Sequence, residues 1–306
     1  MTNRKWYEAW DEKDMRVAYE TIRHGQPSAL TWRDPMRAKV VGFAVLLMAA
    51  LPLVAGTVLA AKEDKTAAGK IDEKSMSILR NMGAFLAKAG QFTVKVHASY
   101  DVIQESGQEV EFEEIMKYAV SRPDRMRIDI QESDGNKRVV VFDGKNLSAY
   151  GERQHVYAST ELPGTLDNAI VYFVRDLKMR MPMAMLFVSN VNEEFERRIT
   201  SLAYVETNTI KDVPCDHLVG STDTIDFQIW VAQGSEPLPR RVVITYRHAE
   251  KEPQFRARFS HWDFSPPFTD ASFAFAPPAG MECLPLLTLT ENTMPRHRSA
   301  KKGGQP

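Results

Sequence analysis

The stretch from Gln91 to Val102 admits few folds. Phe92, Val94, Val96, Ala98, Tyr100 and Val102 occupy every second position, and each residue between them is polar: Thr93, Lys95, His97, Ser99 and Asp101. On a helix, at 3.6 residues per turn, such a series would scatter its apolar side chains around the whole circumference. On a strand, successive side chains point to opposite faces, so all six fall on one side. One dry face and one wet face mark a strand of an antiparallel sheet.

The same period recurs along the chain. Short alternating or β-branched runs occur at residues 109–120, 125–131, 138–142, 147–150 and 155–159, and again at 202–210, 217–221, 224–232, 241–246 and 254–264. Asp143-Gly144 lies between two of them and supplies the positive φ that a tight hairpin needs. Ahead of the first run, Ile71, Met76, Leu79, Met82 and Leu86 recur near a period of 3.6 and predict a helix over 71–89, stopped by Gly90. The two runs are separated by a second helical pattern over 165–179, an apolar stretch with a proline over 181–188, and a charged helical segment over 192–199. The fold expected is mainly β (α+β): a large curled antiparallel sheet, an unclosed β-barrel of about ten strands, lidded by helices. A curled sheet has a concave face that something must fill, and the helices are the available plugs.

Upstream, the segment from Val40 to Ala60 carries no charge, comes directly after Arg37 and Lys39, and is succeeded at once by Lys62, Glu63 and Asp64. A basic flank, an apolar core and a small-residue exit form a secretory signal, with cleavage expected between Ala60 and Ala61. The competing reading is a retained anchor in the inner membrane, since 21 apolar residues suffice to cross a bilayer. Both readings put the downstream chain outside the cytoplasm. Met36 begins a complete short signal by itself, which makes residues 1–35 a doubtful leader and 36–61 the signal peptide or anchor. Residues 62–287 then form one β-rich domain, and 288–306 a polar tail expected to be disordered.

Formal net charge is −1 with both signs interspersed, which excludes nucleic acid as a bulk electrostatic partner. Cys215 and Cys283 are the two cysteines, and neither has a companion at metal-ligand spacing, so no metal site and no cofactor is expected. In an oxidising compartment they form one disulfide across a loop of about 67 residues, stabilising by about 4 kcal/mol, or they stay two buried free thiols. No G-x-S-x-G elbow occurs, and Cys215-Asp216-His217 places its thiol and imidazole on one strand, where a catalytic pair is seldom assembled. The chain therefore reads as a binding protein without catalytic residues. Met179, Met181, Met183 and Met185 serve as flexible apolar filler, pocket lining or soft ligands for cuprous ion. Glu109, Glu111, Glu113 and Glu114 read as one solvated strand face.

In the second run, Cys215-Asp216-His217-Leu218, Asp226-Phe227-Gln228-Ile229-Trp230-Val231, Pro237-Leu238-Pro239-Arg240-Arg241, Val243-Ile244-Thr245-Tyr246 and Phe273-Ala274-Phe275-Ala276-Pro277-Pro278 occur in that order. This series resembles the predicted periplasmic proteins of domain-of-unknown-function family 2092, over roughly residues 71–284. That family is similar to the LolA/LolB lipoprotein-carrier fold, an open antiparallel barrel whose apolar concave face is lidded by helices. The resemblance implies a periplasmic protein that holds an apolar ligand, a lipid or lipoprotein acyl chain. The alternative is an envelope protein–protein interaction or stress-sensing module without a small ligand. The wall of the cavity would then be drawn from Phe92, Val94 and Val96, from Met181, Met183 and Met185, and from Phe227, Ile229 and Trp230.

Overall fold

The alternating stretch becomes β1 (Gln91–Ile103), with Phe92, Val94, Val96 and Ala98 buried and the residues between them facing water. The computed structural model describes residues 69–104, 106–176 and 181–285. The Val40 to Ala60 segment, the Ala60-Ala61 cleavage site, the 1–35 leader, Met179 and the 288–306 tail lie outside them. Among the described residues no helix is long and apolar enough to cross a membrane.

Eleven further strands join β1: β2 (Glu109–Ser121), β3 (Arg125–Glu132), β4 (Lys137–Phe142), β5 (Asn146–Gly151), β6 (Val156–Glu161), β7 (Ser201–Ile210), β8 (Val213–Ser221), β9 (Ile225–Ala232), β10 (Pro239–Tyr246), β11 (Gln254–Asp263) and β12 (Glu282–Cys283). They form one sheet in the order β12-β6-β5-β4-β3-β2-β1-β11-β10-β9-β8-β7. Each run is a meander of consecutive hairpins, and antiparallel pairing of β1 with β11 welds the two together. The edge strands β12 and β7 do not pair, so the barrel stays open as expected. At the turn after β4, Asp143 accepts hydrogen bonds from the amides of Lys145 and Asn146 at 2.9 and 2.7 Å, and Gly144 takes φ 87°.

Helix α1 (Glu73–Lys88) opens on Asp72, whose carboxylate accepts the Ser75 amide at 2.9 Å. Its buried face is Met76, Leu79, Met82, Gly83 and Leu86. Ile71, read from the sequence as part of that stripe, instead pairs as an isolated bridge with Leu202 and is 39% exposed. Helix α2 (Leu166–Val171) starts on a Thr165/Asn168 capping box and passes into a π-type turn at Tyr172–Asp176. The regular α-helix expected over 165–179 is thus interrupted after Val171: Ile170, Val171, Tyr172, Phe173 and Val174 are β-branched or aromatic in succession and crowd a regular helix. Helix α3 (Val191–Arg198) crosses α1 at Gly83, where a Cβ would come within 2.1 Å of Asn192 Oδ1. Asn192 in turn donates to the Arg80 carbonyl at 3.1 Å.

The stretch after β11 is a strap along the outer face. Asp270 pairs with Arg125 at 2.8 Å, Phe273 is 2% exposed, and Phe275 lies against Tyr150 and Tyr157 with ring centroids 6.3 and 6.2 Å away. The outward-facing Val139, register partner of Tyr150, is buried on that side. The strap ends in β12, which adds in parallel to β6.

Candidate functional site

The concave face divides into a plugged half and an open half. In the plugged half, residues 181–188 lie across the sheet, with Met183, Ala184, Leu186, Phe187 and Val188 buried and Met181 and Met185 packed against the same core. The Phe187 ring stacks on Tyr118 at 4.8 Å and on Phe92 at 6.2 Å. Phe92 also meets Trp262 and Phe264, and Phe264 meets Phe85 of α1 edge-on at 5.3 Å. Arg122 donates to the Phe187 carbonyl at 2.8 Å, and Ser189 donates through its amide (3.1 Å) and hydroxyl to Asp167. Burial holds the Arg122 guanidinium below its ordinary pKa.

In the open half one row runs in register across six strands: Gly220, Phe227, Ile244, Phe255, Tyr100 and Phe112. Ile244 and Phe255 are buried, whereas Phe227, Tyr100 and Phe112 are half-buried. Half-buried Ile225, Tyr246 and Ile130 extend the apolar lining. Gly220 makes room for the Phe227 ring, since a Cβ there would come within 2.5 Å of it. Tyr100 stacks on Phe112 at 6.1 Å, and burial pushes its phenol up to about 12.

One polar cluster interrupts this lining. Arg138 reaches Glu114 at 3.1 Å and Glu132 at 2.9 Å, while Asn136 donates to Glu132 at 2.8 Å. Glu114 therefore leaves the solvated face read from the sequence. Glu109, Glu111 and Glu113 point outward and are exposed, but Glu114 shares the inward parity of Phe112, Met116 and Tyr118. Burial raises the Glu114 pKa, the Arg138 charge opposing. Protonation thus favours the folded state: stability from this group is full below the ordinary carboxylate range and is lost as pH rises through the raised value. A urea-denaturation series from about pH 4 to about pH 7 should show that fall in the parent and less of it in Glu114→Gln. Equal slopes in the two proteins would refute the assignment.

The domain matches the family model described as "Predicted periplasmic protein (DUF2092)" over residues 75–286. The chain belongs to this family. No curated protein sequence matches it. Among solved structures, an uncharacterized conserved protein from Thermus thermophilus aligns at TM-score 0.41 and 11% identity, over 69% of this chain and 99% of that one. Mycobacterium tuberculosis lipoprotein LppX aligns at 0.39 and 12% (62% and 96% covered). A LolA superfamily protein from Nitrosomonas europaea aligns at 0.33 and 13% (66% and 97% covered).

In this DUF2092 domain, Phe92, Val94, Val96, Met183 and Ile229 line the concave core, Met181 and Met185 flank it, and Phe227 stands in its open half. Trp230 does not join them. It faces the other side of the sheet, in a small cluster with Cys215 and Val243, so its place in the cavity wall is corrected. The reason is parity: Phe227, Ile229 and Val231 take the inner face of β9, and Trp230 falls between them. The cysteines are free thiols, and nine strands separate β8 from β12 in the sheet order. A bridge between them is not made. Cys215 is buried, donates to the Val213 carbonyl at 3.3 Å, and has its pKa raised by burial, while Cys283 is exposed. Among the described residues no group of three or more His, Cys, Asp or Glu could hold a metal. Phe187, Tyr118 and the Glu114–Arg138–Glu132 cluster escaped the sequence reading. The inward parity of β2 was the available signal for Tyr118 and Glu114.

Proposed function

We propose that this chain binds an apolar ligand, a lipid or lipoprotein acyl chain, on its concave face, and catalyses no reaction. One observation carries the reading: the apolar concave face continues beyond the helices, so that Tyr100, Phe112, Ile130, Ile225, Phe227 and Tyr246 stay half-buried instead of being sealed. Continuous apolar surface left partly open on a soluble domain is the common form of a ligand site. Burying ten CH₂ groups there, at about 0.8 kcal/mol each, contributes about 8 kcal/mol without any polar anchor. The plug at 181–188 supports the same reading. It is rich in methionine, whose flexible thioether repacks readily around a guest chain.

Native mass spectrometry of protein purified from its own envelope fraction should reveal a co-purifying lipid. The delipidated protein should bind a fluorescent fatty acid, and Phe227→Asp should weaken that binding more than about tenfold, because a carboxylate would be desolvated by the chain. Unchanged affinity in the variant would count against the face. The tight packing of the plugged half favours a second reading, an interaction module for an envelope protein. An empty protein with no affinity for acyl probes would establish that one instead.

A further inference from the structure

The outer face of the sheet carries a second in-register row, and it is built differently. Across β7, β8, β9, β10, β11 and β1 it reads Glu206, His217, Trp230, Arg241, Arg258 and His97. At its centre is a three-layer stack. The His217 ring lies 4.0 Å from Trp230 with an interplanar angle of 9°, and the Arg241 guanidinium lies 4.7 Å from the Trp230 ring. Gln228 fixes His217 through Nε2 at 3.1 Å. Packed in this way Trp230 is only 5% exposed, although it lies on the outer surface.

The stack holds Arg241 opposite Arg258, its direct register partner on β11. Two like charges directly opposed across a strand pair destabilise a sheet. Among the described residues neither arginine forms an ion pair that would offset them. The nearby Arg256 is taken up by Asp101 at 2.8 Å and Glu111 at 3.5 Å, and His97 by Glu113 at 3.7 Å. Lys95 and Lys117, register partners of each other, add positive charge one step along β1 and β2. Consistently, burial and then the charges of Arg258 and Arg256 depress the Arg241 pKa.

We propose that Arg241 and Arg258 form a binding site for a phosphate group on the outer face, with Trp230 and His217 as the platform that orients Arg241. A guanidinium held over an aromatic ring has already lost part of its rotamer freedom, and its planar fork matches two phosphate oxygens. An oxyanion between the two arginines would offset the repulsion between them. The phosphate could belong to a phospholipid headgroup or to a small phosphorylated molecule, and the test separates these sources. The site lies on the face opposite the acyl-binding surface and does not depend on that reading.

The experiment titrates the full chain with inorganic phosphate at about 0.01 M ionic strength, where screening extends to about 30 Å, and monitors indole N–H signals by NMR. The Trp230 signal is expected to shift saturably. Arg258→Gln should weaken the response about tenfold or more, and Arg258→Lys should restore only part of it, because an ammonium lacks the fork. Co-sedimentation with phosphatidylcholine vesicles containing about 30 mol % phosphatidylglycerol, but not with phosphatidylcholine alone, would assign the phosphate to a lipid. Saturable phosphate binding without co-sedimentation would assign it to a soluble phosphorylated molecule. If phosphate moves no signal, or Arg258→Gln responds like the parent, the proposal is wrong. Circular dichroism of Arg258→Gln checks that the sheet is intact, and the exposed position of Arg258 makes this the expected result.

Discussion

Phe92→Ala is expected to lower the free energy of unfolding by about 3–5 kcal/mol, read from urea denaturation monitored by circular dichroism. Phe92 has 0% exposure and meets Phe187 of the plug, Trp262 and Phe264 of the β11 end, and through Phe264 the Phe85 ring of α1. Truncation would remove the ring on which three separate segments converge. The void has poor means of collapsing, because β1 is fixed on both sides, by β2 and by β11. A domain of this kind holds about 5–15 kcal/mol in all, so the variant would keep only part of its margin. Phe92→Leu should recover a good share of the loss, since much of the volume returns. A cost below about 1 kcal/mol for the alanine variant would mean that the plug is not packed against β1 as described.

The period of two on β1 made both the sheet and its inner face legible, because every polar residue in that run interrupts an apolar one and no tertiary contact had to be known. The same rule, applied strictly, also places Glu114 inside and Trp230 outside. Composition hid both: four glutamates close together looked like one wet face, and a tryptophan looked like a wall. Strand β12 was not legible at all. Two residues carry no period, and β12 exists because Glu282 and Leu284 donate their amides to His155 and Tyr157 on the β6 side at 2.8 Å. The strap was visible only as the Phe273–Pro278 motif, with nothing local to say that it crosses the outer face. The cysteines stayed open between a bridge and two free thiols for a related reason. Strand order across a sheet is a tertiary property, and spacing along the chain does not contain it.

Trp230→Ala tests the corrected placement most directly, because the two positions for this ring predict different losses. On the outer face the indole is the centre of a cluster with Cys215 and Val243, and its removal uncovers both while His217 and Arg241 lose their common surface. The expected cost is about 3 kcal/mol of stability, toward the lower end for a large aromatic because water can reach the vacated site. Affinity for an acyl probe should stay within about twofold of the parent, since Ile229 and Phe227 keep the inner face of β9 intact. If Trp230 lined the cavity, the order of effects would reverse, with acyl affinity falling far more than stability. Trp230→Phe should keep much of the platform, as the benzene ring still offers a face to Arg241. A loss of acyl binding in that milder variant, with stability preserved, would return Trp230 to the cavity wall and remove the basis for an oriented Arg241.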